Sequence, residues 1–277
     1  MHSRLNHPIG IFDSGVGGLS VLRCIRQELP DQDVIFFADQ EHVPYGSRPL
    51  EEVRSFSDAI TRYLLGQGCP LIVVACNTAS AAALRTLRQT FPEVPFVGME
   101  PAVKPAAELT HTGVVGVLAT PATFQSELYA SVVERFANGV TLLQDTCPGL
   151  VGQMEKGNLD GPQTRTILEK AIKPMLEKGI DTIVLGCTHY PFVIPLIQEI
   201  AGENVRVIDP APAVARQTVR MMETHHLLQS SNHPGTTICY TSGQPEILTA
   251  FIHNALEQQY PVSQLYWKDS LLSLDNS

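Results

Sequence analysis

Ile72-Val-Val-Ala-Cys-Asn-Thr78 is an apolar run that ends on a thiol and two polar residues, and Ile183-Val-Leu-Gly-Cys-Thr-His189 repeats it 111 residues later. Four or five consecutive apolar residues bounded by turn-forming residues read as a fully buried strand of a parallel sheet. Working outward, Val94-Pro-Phe-Val-Gly-Met-Glu-Pro-Ala-Val103 matches Val205-Arg-Val-Ile-Asp-Pro-Ala-Pro-Ala-Val214 at the same spacing of 111. On the other side, Gly10-Ile-Phe-Asp-Ser14 matches Gly116-Val-Leu-Ala-Thr120, and Val34-Ile-Phe-Phe37 matches Val140-Thr-Leu-Leu143, both at a spacing of 106. Two consistent spacings separated by one insertion indicate a duplicated domain.

The intervening segments fit helices. Ser20–Leu29 carries Val21, Leu22, Ile25 and Leu29 on one side, and Leu50–Leu65 and Thr78–Thr90 follow later strands. Strands are expected at Ile9–Phe12, Val34–Ala38, Leu71–Ala75 and Val94–Val97. The βαβα order predicts an α/β fold of two similar parallel-sheet domains facing each other across a cleft. Further on, Thr237–Thr241 reads as a strand, Glu246–Gln258 as a helix, Leu227–Thr237 as a polar linker and the last ten residues as poorly ordered.

Composition narrows the function. Of 277 residues, 44% are hydrophobic and 17% charged, enough for packed cores. The net charge of -9, from 19 basic and 28 acidic side chains, opposes binding to a nucleic-acid backbone. The start of the chain has no apolar signal segment and no run is long enough to cross a bilayer, so a cytoplasmic protein without membrane association is expected. The six cysteines form no CxxC pair and no metal-ligand spacing. Cys24, Cys69, Cys147 and Cys239 have no counterpart in the other half and read as small buried hydrophobes.

Cys76 and Cys187 are different, because each ends the third strand of its half, just before a helix. Ligands of open α/β sheets sit beyond the carboxyl ends of the strands, and a helix N-terminus favours a thiolate. Two facing domains would bring both thiols to one ligand. Racemisation removes a proton from one face of a carbon and returns one to the other, so it has a use for two such groups. Asp13, beside the Ser14-Gly15-Val16-Gly17-Gly18 turn, is placed to hold an ammonium group, orient a thiol or cap a helix. His189 is close enough in sequence to exchange a proton with Cys187. Asn77 and Thr78 are open to a helix-capping reading, and Thr120 and Thr123 either cap or contact substrate. Val43-Pro44-Tyr45-Gly46-Ser47 reads either as an ordinary turn or as one whose N–H groups cradle a carboxylate. Glu155 alone reads as a solvated glutamate. The glycine turn fits the dinucleotide fingerprint poorly, since its third glycine would fall on Ser20, although Asp39 ends the second strand where a ribose-binding acid would stand.

Five segments in order carry a resemblance: Asp13-Ser-Gly-Val-Gly-Gly18, Pro44-Tyr-Gly46, Cys76-Asn-Thr78, Cys147-Pro-Gly-Leu-Val151 and Cys187-Thr-His-Tyr-Pro191. Over residues 8–225 the chain resembles the glutamate racemases of the aspartate/glutamate racemase superfamily. The resemblance implies that Cys76 deprotonates D-glutamate and Cys187 L-glutamate, helped by Asp13 and His189 respectively, with Glu155 as a further carboxylate. It assigns Ser14, Pro44, Asn77, Thr78, Thr120, Thr123 and Thr188 to substrate contacts, and Tyr45 and Gly46 to the side-chain carboxylate through their backbone N–H groups. It implies no pyridoxal phosphate or other cofactor, no metal, a homodimer, and D-glutamate supplied to peptidoglycan synthesis. It also implies a discontinuous first domain, residues 1–100 with 210–277, around a second of residues 101–209. With the first strand at about Ile9, the regulatory N-terminal extension of some members is expected to be missing. Aspartate and hydantoin racemases of the same superfamily, a two-lobed amino-acid binding protein and a nicotinamide enzyme are the alternatives.

Overall fold

Strands buried on both faces need apolar residues along their length, and the first three strands have them, apart from Asp13 at the carboxyl end of the first. Ile9–Asp13 (β1), Val34–Ala38 (β2) and Leu71–Val74 (β3) are buried throughout. The computed structural model describes residue 5, residues 7–229 and residues 234–274. These fall into two compact units, one within residues 1–99 and 211–277, the other within 100–210.

In the first unit the strands alternate with Leu19–Glu28 (α1), Leu50–Gly66 (α2) and Asn77–Thr90 (α3), ending in Phe96–Gly98 (β4). The second unit runs Val103–Leu109 (α4), Val114–Ala119 (β5), Pro121–Phe124 (α5), Glu127–Phe136 (α6), Thr141–Asp145 (β6), Leu150–Glu155 (α7), Pro162–Leu176 (α8), Thr182–Gly186 (β7), Ile194–Ala201 (α9) and Arg206–Ile208 (β8). The chain then returns to the first unit as Ala211–Thr224 (α10), Thr237–Thr241 (β9), Pro245–Leu256 (α11), Val262–Gln264 (β10), Tyr266–Lys268 (β11) and Leu271–Ser273 (β12).

The duplication is visible in the sheets. The second unit has strand order β6-β5-β7-β8, and the first contains the equivalent β2-β1-β3-β4, extended past β2 by β9 and β10. Every ladder in both sheets is parallel. Gly10 pairs with Ile72 and Gly116 with Ile183, so the third strands keep the spacing of 111. The second strands do not keep theirs. Val34 lies opposite Ile9, and Leu142 opposite Val115, the residue 106 after Ile9; the spacing is therefore 142 − 34 = 108. A slip of two residues preserves which face each side chain occupies, so the hydrophobic pattern tolerates it.

In the first unit α1 packs on α10 and α11, and α2 on α3. Its core combines Phe12, Phe37, Ile60, Leu64 and Ile72 with Leu87 and Phe96. In the second unit Leu118, Leu150, Ile172, Leu185 and Ile197 form the larger cluster. The end of the chain corrects the sequence reading: Tyr266–Lys268 and Leu271–Ser273 form an antiparallel hairpin beside α2. Residues 275–277 lie outside the described residues, as do residues 230–233 of the expected linker.

Asp181, just before β7, ties the second unit together at the strand entrances. Its carboxylate accepts from the Thr110 hydroxyl at 2.6 Å, from the N–H groups of His111 and Thr112 at 2.6 and 3.0 Å, and from the Thr182 hydroxyl at 3.1 Å. Partial burial works against the anion, but these donors outweigh it and hold the carboxyl down at about 2. A native value below the unfolded one gives stability above about 4 that is lost as the pH falls towards 2. Asp181→Asn is therefore expected to lower the thermal midpoint at pH 7 by roughly 3 °C. The gap from wild type should close as scans are repeated from pH 5 down to pH 2.

Candidate active site

The carboxyl end of β1 delivers Asp13, fully buried, and the chain turns immediately through Ser14 and the glycines. Both the N–H and the hydroxyl of Ser14 donate to Asp13 Oδ1, at 2.5 and 3.0 Å. Gly18 allows the turn to close over the carboxylate, because a Cβ there would stand 2.6 Å from the Asp13 Cβ. The neighbouring strand β3 ends at Val74, and two residues later Cys76, only 5% exposed, sits with its sulfur 3.8 Å from the Ser14 hydroxyl oxygen. The thiol, the hydroxyl and the carboxylate thus form a hydrogen-bonded series from Cys76 through Ser14 to Asp13.

Cys76 is also the N-cap of α3. Its sulfur accepts from the N–H of Ala79 at 3.4 Å, and its extended backbone precedes the first helical residue, Asn77. This corrects the reading of Asn77 and Thr78 as caps: the sulfur takes the role, and an unpaired helix N–H aimed at it favours the thiolate. Asn77 is 3% exposed, and neither its amide oxygen nor its amide nitrogen has a hydrogen-bond partner. A buried amide left unsatisfied costs about 1–3 kcal/mol, which a bound polar ligand can recover. Thr78 is buried alongside it.

In the second unit β7 ends at Gly186, where a Cβ would fall 2.7 Å from that of Ala119 on β5, so only glycine lets the two strands meet this closely. Cys187, 5% exposed, comes next. Its setting is not a copy of the first: a 3-10 turn over Tyr190–Val193 separates it from α9, so it does not cap an α-helix. The polarising group is His189, whose Nδ1 lies 3.7 Å from the Cys187 sulfur and whose Nε2 lies 2.6 Å from Glu155 Oε1. Glu155, the last residue of α7, is not solvated; it is 12% exposed at the side chain and braces the imidazole. Burial disfavours the imidazolium, but the hydrogen bonds and charges of Cys187 and Glu155 prevail and raise His189 well above its ordinary value.

Thr188 is buried beside this group. Thr120 caps α5, its hydroxyl accepting from the N–H of Thr123 at 3.3 Å and lying 3.0 Å from the Thr123 hydroxyl, so the capping reading applies to it. Pro44 precedes a short 3-10 turn over Tyr45–Ser47, whose Tyr45 is buried. Its phenol binds Asp39 at 2.6 Å, which leaves that aspartate no resemblance to a ribose anchor. Sequence reasoning missed Asp39 as a structural centre; its position at a strand end was the available signal. None of the six buried cysteines forms a disulfide, and burial pushes the thiols of Cys69, Cys147 and Cys239 upward. Among the described residues no cluster of three His, Cys, Asp or Glu side chains is arranged to hold a metal ion, and no helix is long and apolar enough to cross a membrane.

Residues 9–218 match the model of the Asp/Glu/hydantoin racemase family. The chain belongs to that family. It is accordingly a racemase, and its curated relatives include the glutamate racemase of a Roseiflexus species, 48% identical over 91% of this chain and 93% of that one. The glutamate racemase of Pseudomonas aeruginosa is 50% identical over 86% of this chain and 89% of its own. Among solved structures, the Escherichia coli glutamate racemase in complex with L-glutamate and the activator UDP-MurNAc-Ala superposes with a TM-score of 0.81, at 32% identity over 93% of this chain and 97% of that one. The Francisella tularensis enzyme in complex with D-glutamate also gives 0.81, at 27% identity over 98% and 99%. Two parallel-sheet α/β regions agree with these folds and with the expected α/β class.

The His189–Glu155 pair makes a direct prediction. With a native value above 6.5, the imidazolium contributes stability that is complete below about 6.5 and is lost as the pH rises through the native value. In imidazole NMR titrations His189 should titrate above the free-imidazole value. In Glu155→Gln it should titrate closer to the free value; an unchanged titration would mean that Glu155 does not hold the proton.

Proposed function

We propose that the protein interconverts L-glutamate and D-glutamate by proton transfer at Cα between two thiols, without a cofactor. The observation that carries this reading is that each of two buried cysteines has its own proton-handling partners: Cys76 has Ser14 and Asp13, and Cys187 has His189 and Glu155. Substrate binding alone has no use for two such series, whereas a reaction that needs a base and an acid uses both.

In the D-to-L direction the Cys76 thiolate takes the Cα proton and becomes a thiol. The electron pair left on carbon, delocalised into the α-carboxylate, takes a proton from the Cys187 thiol on the opposite face. Cys187 ends as thiolate beside the His189 imidazole, which Glu155 braces. The L-to-D direction runs the same steps in reverse. Asn77, with both amide atoms unpaired, is assigned to the polar groups around Cα, together with Ser14, Thr78, Thr123 and Thr188. Thr120 serves by holding Thr123 in place. Tyr45 and Gly46, after Pro44, receive the side-chain carboxylate, which favours glutamate over a shorter amino diacid. The names of the relatives, and the L- and D-glutamate in two neighbouring structures, support this choice of substrate. By the same likeness we assign the enzyme to the bacterial cytoplasm, as a homodimer supplying D-glutamate for peptidoglycan.

The test is racemisation of L-glutamate in D2O. Solvent deuterium should enter newly formed D-glutamate, with little in recovered L-glutamate at early times. Rapid early exchange into the starting enantiomer would mean a single base serving both faces. Cys76→Ser and Cys187→Ser should each lower kcat by at least about a hundredfold, the range of a lost general acid or base.

A further inference from the structure

Asp39 follows β2 and is completely shielded from solvent. A carboxylate in such a place needs donors on both oxygens. The Tyr45 hydroxyl donates to Oδ2 at 2.6 Å, and His42 Nδ1 lies 3.0 Å from Oδ2 and 3.1 Å from Oδ1. The Ser242 hydroxyl donates to Oδ1 at 2.7 Å, and the Trp267 indole N–H donates to the same oxygen at 2.8 Å. These donors come from three stretches of chain: the loop after β2, the residue after β9, and β11 of the C-terminal hairpin. Burial and the charge of Asp39 raise the Tyr45 phenol well above its ordinary value, so it stays a donor.

Aromatic packing makes the arrangement stiff. The His42 ring stacks on Phe56 of α2 at 3.9 Å and meets the Trp267 ring edge-on at 5.1 Å. Phe56 also contacts Trp267 at 5.6 Å and Tyr45 at 5.8 Å, centroid to centroid. Arg48 closes the loop on itself, its Nε donating to the carbonyl of His42 at 2.5 Å. The turn at Tyr45 is therefore fixed by its phenol on Asp39, and Asp39 by the indole of a hairpin more than two hundred residues away in sequence.

We infer that Trp267 is a positioning residue for substrate binding: through Asp39 it holds the Pro44-Tyr45-Gly46 turn in the form that receives the distal carboxylate of the substrate. This rests on the reading of that turn given under the proposed function. The indole can only donate, so it commits Asp39 Oδ1 to one orientation, and Tyr45 follows through Oδ2. Without that donor the carboxylate turns to make up the loss, and the Tyr45 backbone moves with its phenol. The effect falls chiefly on binding, because neither Trp267 nor Asp39 is hydrogen-bonded to a thiol.

Trp267→Phe tests this, because it keeps a ring against His42 and Phe56 and removes the N–H. The KM for L- and D-glutamate should rise roughly tenfold with kcat within about twofold, and the Ki of glutarate should rise by the same factor, the size expected for a lost hydrogen bond to a charge. Asp39→Asn should shift KM in the same direction. Trp267 is the sole tryptophan, so glutarate should also change the intrinsic fluorescence of the wild-type enzyme, a readout that needs no variant. An unchanged KM in a Trp267→Phe protein that melts like wild type overturns the inference, as does a loss confined to kcat or a silent fluorescence titration. If wild type does not turn over glutamate, the proposed substrate fails and the inference with it. If wild type is active beside an unaffected variant, the inference fails alone.

Discussion

A sulfur with one-twentieth of its residue's surface exposed ionises only where neighbouring dipoles or charges replace the water it has lost. Everything around Cys76 and Cys187 answers to that constraint. At Cys76 the replacement is a helix N–H and a hydroxyl backed by a carboxylate. At Cys187 it is an imidazole backed by a carboxylate. The parallel sheets place both sulfurs just beyond strand ends, where backbone groups are no longer consumed by the ladders.

Much of this could be read in the residues because strand burial and duplication leave strong marks. Ile72–Val74 and Ile183–Leu185 had to be buried strands, and the thiols had to follow them. Gly10 and Gly116 aligned because each meets its third strand in the same register. The second strand was misaligned by two residues because β6 is an edge strand, half exposed, whose alternation tolerates such a shift. The last ten residues read as a loose tail, yet Lys268 and Leu271–Ser273 belong to an antiparallel hairpin whose order comes from α2 and from Asp39, far away in sequence.

The site was legible in its nucleophiles and less so in their surroundings. Cys76 as its own cap could not be anticipated, because cysteine is not among the usual capping residues. Glu155 has the sequence context of a surface glutamate, and only the packing of α7 turns it towards His189. Asp39 was noticed for a role it does not have. Its four donors are scattered through the chain, and such a convergence leaves no spacing to recognise.

Duplication began with two equal halves, yet the hydroxyl–carboxylate series at one thiol and the imidazole–carboxylate series at the other are now chemically unlike. Mirror-image amino acids have equal free energies, so no such difference can bias the final mixture. Under the proposed reaction the ratio kcat/KM must be equal in the two directions, whatever the flanking groups. The divergence of the halves can only redistribute each direction between how tightly an enantiomer is held and how fast it is released as its twin.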